Sequence, residues 1–160
     1  MIVLQTMAVA FAMFSALPVP QFTWNSKNMR YAPCAFPLIG GIIGALWSLC
    51  GALPLPDMIR AGGFCLIPVL VTGGIHLDGY ADTSDALSSY GDREKKLEIL
   101  KDPHCGAFAV IRLCTYFLAY FCVAFCIRFS PRVGLCWTLA LVLERGLSGL
   151  AVAAFPMAKN

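Results

Sequence analysis

Charge is scarce in this sequence. Asp, Glu, Lys and Arg make up 13% of its 160 residues, against about 25% in a soluble domain. The first charged side chain is Lys27. A cleavable leader needs basic residues ahead of its apolar stretch, so the uncharged run Met1 to Pro20 reads as a retained membrane helix. No Lys or Arg stands between Arg60 and Arg93. No two of the eight Cys form a C-x-x-C pair, and all except Cys105 sit in apolar runs. That pattern excludes a secreted disulfide scaffold and predicts small buried thiols in a reduced setting. The net charge of +3 is too small to imply an anionic polymer, so no nucleic-acid partner is expected. There is no internal repeat and no low-complexity tract.

What is abundant is apolar. Hydrophobic residues reach 59% and the mean hydropathy is +0.73. A water-soluble shell must be mostly polar, which rules out an ordinary cytosolic enzyme. The sequence predicts an all-α, polytopic membrane helix bundle, with lipid around it, forming one domain over residues 1–160. Five apolar segments stand out: Met1 to Pro20, Pro33 to Leu53, Ala61 to Ile75, Gly106 to Ile127 and Val133 to Phe155. Pro18 and Pro20 end the first. Gly40 and Gly44 in the second have the G-x-x-x-G spacing of a close helix contact. The third is short of the roughly 20 residues of a span and is expected to cross only by borrowing from the polar stretch after it.

If all five cross, the first and third loops share a side. They carry Lys27, Arg30, Arg93, Lys95, Lys96 and Lys101, against Arg60, Arg128 and Arg132 on the other side. The positive-inside rule then turns the third loop toward the cytoplasm.

That third loop and its flanks, His76 to Cys105, hold seven of the nine acids. Asp78, Asp82 and Asp85 are spaced i, i+4, i+7, so on a helix they fall within a stripe about 60° wide. Three carboxylates packed this closely repel one another. A solvated helix face would intersperse Lys to relieve the repulsion, and none is present here. A divalent cation such as Mg²⁺ offsets it, taking carboxylate oxygens and keeping further positions for waters and substrate phosphates. Carboxylates beside a membrane helix mark a functional site. Gly73, Gly74 and Gly79 flank the cluster and leave room for a phosphate to approach the backbone. His76 lies about 160° from Asp78 on the helix, off the stripe, and is a weaker candidate for touching a ligand. Asp92 to Lys101 reads as an amphipathic helix that stops before Pro103. Lys101 is placed to neutralise charge on a phosphate leaving group. Arg112, Glu144 and Arg145 lie within apolar segments and are expected to face the bundle interior, Arg112 and Glu144 as a possible interhelix ion pair.

The run Gly73-Gly74-Ile75-His76-Leu77-Asp78-Gly79-Tyr80-Ala81-Asp82-Thr83-Ser84-Asp85 resembles the signature of the adenosylcobinamide-GDP ribazoletransferase (cobalamin synthase) family. So do the flanking blocks Phe14 to Pro20, Phe36 to Gly40, Leu97 to Asp102, Gly106 to Phe108 and Glu144 to Gly146. The resemblance implies an inner-membrane enzyme of late cobalamin biosynthesis, facing the cytoplasm of a bacterial or archaeal cell. It implies joining of adenosylcobinamide-GDP to α-ribazole or its 5′-phosphate, with Mg²⁺ and release of GMP. It further implies Asp78, Asp82 and Asp85 as metal and catalytic residues and Lys101 on the leaving phosphate. Gly73, Gly74, His76, Gly79 and Asp102 would line the substrate. Family members continue through further helices and a Gly-rich motif, so the chain resembles their N-terminal portion and is expected to bind Mg²⁺ weakly without turnover on its own. The other reading of the same carboxylates is the ion path of a small cation transporter or permease. A transporter carries its acids at mid-membrane, often at broken helices, whereas these sit at one edge and run on into a charged loop.

Overall fold

A computed structural model describes residues 2–20 and 31–155. Lys27 and Arg30, two of the six cations behind the predicted orientation, lie outside the described residues. The described residues form seven α-helices: α1 Ile2–Phe14, α2 Phe36–Ala52, α3 Asp57–Thr72, α4 Ile75–Ser88, α5 Arg93–Ile99, α6 Ala107–Phe125 and α7 Pro131–Ala154. A 3₁₀ turn, Ala32–Ala35, leads into α2. Among the described residues there is no strand, and the all-α polytopic bundle stands.

The α2–α7 pair is the backbone of the packing. A Cβ on Gly44 would lie 2.6 Å from the Thr138 Cα, and one on Gly134 would lie 2.8 Å from the Ser48 Oγ. Gly40 faces the Leu141 carbonyl in the same seam. Lipid tails are as apolar as the helices, so association depends on such close backbone approach. The G-x-x-x-G spacing in α2 therefore does what it predicts. Deeper in, Trp47 is fully buried between the rings of Phe64 and Trp137, with centroids 3.7 and 5.2 Å away. The Tyr120 hydroxyl donates to the Phe64 carbonyl at 3.0 Å and so ties α6 to α3.

The third apolar segment departs from its expectation. Gly73 and Gly74 take left-handed φ values of 65° and 81°, and α3 and α4 meet at a bend of 93°. The polar helix turns away at the glycines, so it adds to the third segment only as one arm of a bent pair. Glycine is needed here because a Cβ penalises that backbone region. The short uncharged α1 also stops early: Ser15 and Ala16 follow it, and the Ala16 N–H donates to the Val71 carbonyl at 2.8 Å. By length and composition three helical stretches can cross a membrane: Ala32–Ala52, Ala107–Phe125 and Pro131–Ala154. The bent α3–α4 pair makes a fourth if counted as one span. Five were expected. The shortfall arises at α1, whose 13 residues reach only about 20 Å against a core of about 30 Å, and at the glycine bend.

All eight cysteines are free, as expected, but only Cys65 is buried. Cys114, Cys122, Cys126 and Cys136 sit on outward faces of α6 and α7. No second layer of described helices covers those faces, and lipid serves an apolar thiol as well as a protein core does.

Candidate active site

The aspartate motif forms a single helix, α4, that starts at the glycine bend. Asp78, Asp82 and Asp85 all lie on it, as the spacing requires, but their contacts differ. Asp78 is exposed and Asp82 half-buried. Neither carboxylate makes a hydrogen bond or ion pair with any described residue. Asp85 is fully engaged: its Oδ2 accepts the Gly106 N–H at 2.7 Å and its Oδ1 accepts the Ala109 N–H at 2.9 Å. Among the described residues no three of His, Cys, Asp and Glu gather into a metal group. Two partnerless carboxylates on successive turns still suit Mg²⁺, which takes one or two carboxylates and fills its octahedron with waters and substrate phosphates.

A cleft of about 530 Å³ opens beside Asp78, walled by Gly73, Gly74, Leu77, Ala81, Cys105 and Leu113. Gly74 has no atom within 4 Å of where its Cβ would be. The bend that ends α3 thus also leaves bare backbone at the mouth of the cleft. Gly79 and His76 do not line it. Gly79 is exposed, with open space around it. His76 is half-buried on the other side of α4, within electrostatic reach of Arg145 and Glu144, which agrees with its angular offset.

Lys101 and Asp102 stand apart from the cleft. Together with Lys95, Glu98, Ile99 and Pro103 they line a second hollow of about 350 Å³ at the end of α5. The amphipathic helix is shorter than its Asp92 to Lys101 reading, since Leu100 to Pro103 turn out of it. Its start is as the residue types dictate: Asp92 caps it by accepting the Lys95 N–H at 2.9 Å. Asp102 accepts both the backbone N–H of His104 at 3.0 Å and its ring Nδ1 at 2.6 Å. The backbone bond first, then the ring, hold the Asp102 carboxyl below the usual carboxylate range. This closed turn leads directly to Cys105 on the cleft wall. It was not anticipated, although Asp-x-His before a helix start was the available signal.

The intramembrane charges pair differently from the expectation. Glu144 Oε2 lies 2.8 Å from Arg145 Nε in the same helix, and Glu144 Oε1 accepts the Ser148 hydroxyl at 3.2 Å. Arg112 is exposed on α6 and takes part in no ion pair among the described residues. The Arg112–Glu144 bridge is therefore not formed. Adjacent side chains leave the helix about 100° apart, yet both are long enough to curl together. Glu144 and Arg145 border a hollow of about 590 Å³ with Tyr116, Tyr120 and Trp137.

Residues 6–160 match the family model described as cobalamin-5-phosphate synthase. A relative from Lachnoclostridium phytofermentans, named adenosylcobinamide-GDP ribazoletransferase, is 45% identical over 98% of this chain and 61% of its own length. Relatives of the same name come from Clostridium perfringens, at 40% identity over 69% of this chain and 45% of theirs, and Listeria monocytogenes, at 33% over 94% and 62%. The chain thus spans less than two thirds of the length of these curated relatives. No solved structure matches it.

Proposed function

This chain belongs to the cobalamin-5-phosphate synthase family, and from that premise we propose that it carries the phosphate-activating half of a Mg²⁺-dependent membrane phosphotransferase. The reaction would join adenosylcobinamide-GDP to α-ribazole or its 5′-phosphate. The observation that carries this reading is the pair of partnerless carboxylates one helical turn apart, Asp78 on the wall of a cleft lined by glycine backbone and Asp82 on the next turn of the same helix.

In this reading Asp78 and Asp82 hold the cation, which supplies charge neutralisation on the diphosphate. Gly73 and Gly74 admit the diphosphate close to the backbone. A ribazole hydroxyl oxygen attacks the phosphorus on the cobinamide side, the bond from that phosphorus to the bridging oxygen breaks, and GMP leaves with that oxygen. The hydroxyl proton passes to water at the exposed rim. Lys101, directly before the Asp102–His104 turn, would move with its loop to meet the leaving phosphate. The cleft faces the cytoplasm of the cell membrane, and lipid covers the outward faces of α6 and α7.

The test supplies adenosylcobinamide-GDP, α-ribazole and Mg²⁺ to the protein in lipid and follows GMP. The chain is assayed alone and co-expressed with the C-terminal part of the L. phytofermentans relative. No turnover is expected from the chain alone. In the complemented protein Asp82→Asn should slow the reaction roughly a thousandfold, the equivalent of about 4 kcal/mol. Near-normal turnover of that variant at saturating Mg²⁺ would remove Asp82 from the site.

A further inference from the structure

The third carboxylate of the motif has a different task. Helix α6 begins at Ala107 with Gly106 as its N-cap, and Gly106 offers no side chain to cap it. The first N–H groups of a helix have no partner of their own. Asp85, from another helix, accepts from Gly106 and from Ala109, the N-cap and N3 positions. In a capping box two side chains of one helix satisfy those same two amides. Here one carboxylate does both across more than twenty residues, with the positive end of α6 favouring its charge. Gly106 is required by the arrangement, because a Cβ there would lie 2.7 Å from both Asp85 oxygens.

We propose that Asp85 is a positioning residue: it clamps the start of α6 onto α4 and so sets the wall of the Asp78 cleft, and it does not ligate the metal. Cys105, the residue directly before Gly106, lines that cleft together with Asp78. Each oxygen of Asp85 already accepts one amide of the clamp, whereas the carboxylates of Asp78 and Asp82 have no such partner, so the cation is assigned to those two. The amides of Gly106 and Ala109 are likewise taken up by the clamp. This inference rests on reading the cleft as a metal–diphosphate site.

Two variants break the clamp by different routes. Asp85→Asn removes the charge and turns an N–H₂ against an amide N–H. Gly106→Ala pushes the carboxylate away and alters no acid. Each is purified in lipid with the wild type and the double variant. Binding of Mn²⁺ alone is measured by electron paramagnetic resonance, and binding of pyrophosphate is measured with Mn²⁺ present. Both single variants should leave the Mn²⁺ affinity within about twofold. Both should weaken pyrophosphate about tenfold, since small misplacements of a site are costly. The double variant should be no worse than either, because the two changes remove one shared contact.

A tenfold or greater loss of Mn²⁺ affinity in Asp85→Asn alone would make Asp85 a ligand and overturn the proposal. Unchanged pyrophosphate affinity in both variants, with only lower melting temperatures, would reduce the clamp to a fold staple and overturn it as well. Wild-type protein that binds no Mn²⁺ would overturn the metal reading of the cleft instead. The clamp is then judged on pyrophosphate alone, by whether Asp85→Asn and Gly106→Ala weaken it together.

Discussion

Trp47 lies flat against Phe64, ring centroid to ring centroid 3.7 Å, and both side chains are fully buried. The pair locks α2 to α3, and α7 joins through Trp137 on the other face of the same indole. The position of α3, and hence of the bend that launches α4, depends on it. Trp47→Ala empties the centre of this stack and should cost about 3 kcal/mol or more. Trp47→Phe keeps a ring on Phe64 and should cost clearly less. Unfolding titrations in mixed micelles measure both, and equal losses would show that a ring kept against Phe64 contributes nothing.

The two bend glycines make a graded prediction. Gly73→Ala meets both a left-handed backbone and a neighbour, since its Cβ would lie 3.2 Å from that of Ala16. Gly74→Ala meets only the left-handed backbone, with nothing within 4 Å. The conformational part costs about 1–2 kcal/mol in each. Gly73→Ala should therefore be the less stable protein, by thermal unfolding. The reverse order would mean that the contact of Ala16 with the bend carries no weight.

Orientation is open to chemical labelling. Tyr90, between α4 and α5, is completely exposed. In a background without the native cysteines, Tyr90→Cys should react with a membrane-impermeant thiol reagent from the cytoplasmic side only. Labelling of intact cells from outside would reverse the topology that the Lys and Arg distribution predicts.

The Asp102–His104 turn should be pH-sensitive. The carboxyl is held below its usual range by the His104 N–H and ring. A depressed acid stabilises the fold above its unfolded value and loses that contribution as pH falls through the folded one. The turn should thus be closed at neutral pH and open progressively below about pH 4. Exchange of the His104 amide, corrected for its intrinsic rate, should accelerate over that interval in the wild type. In Asp102→Asn it should show no such step.

The sequence alone determined the helical membrane class, because charge content and apolar run length set which solvent a chain must face. It determined the place of the carboxylates too, since i, i+4, i+7 spacing puts Asp78, Asp82 and Asp85 on one side of any helix. It also determined that α2 packs closely against another helix, because Gly40 and Gly44 lack side chains; that the partner is α7 came only with the tertiary structure. Other features depended on which elements meet. Gly73 and Gly74 read as room for a phosphate beside the backbone; that their left-handed angles also turn α4 through a near right angle came only with the structure. Asp85 read as the equal of its two neighbours until the start of α6 arrived beside it. Glu144 had two possible cationic partners, and only the facing of α6 decided against Arg112. Local spacing fixes the direction of a side chain from its own helix. What it then meets is set by contacts between residues far apart in the chain, and those exist only once the bundle has closed.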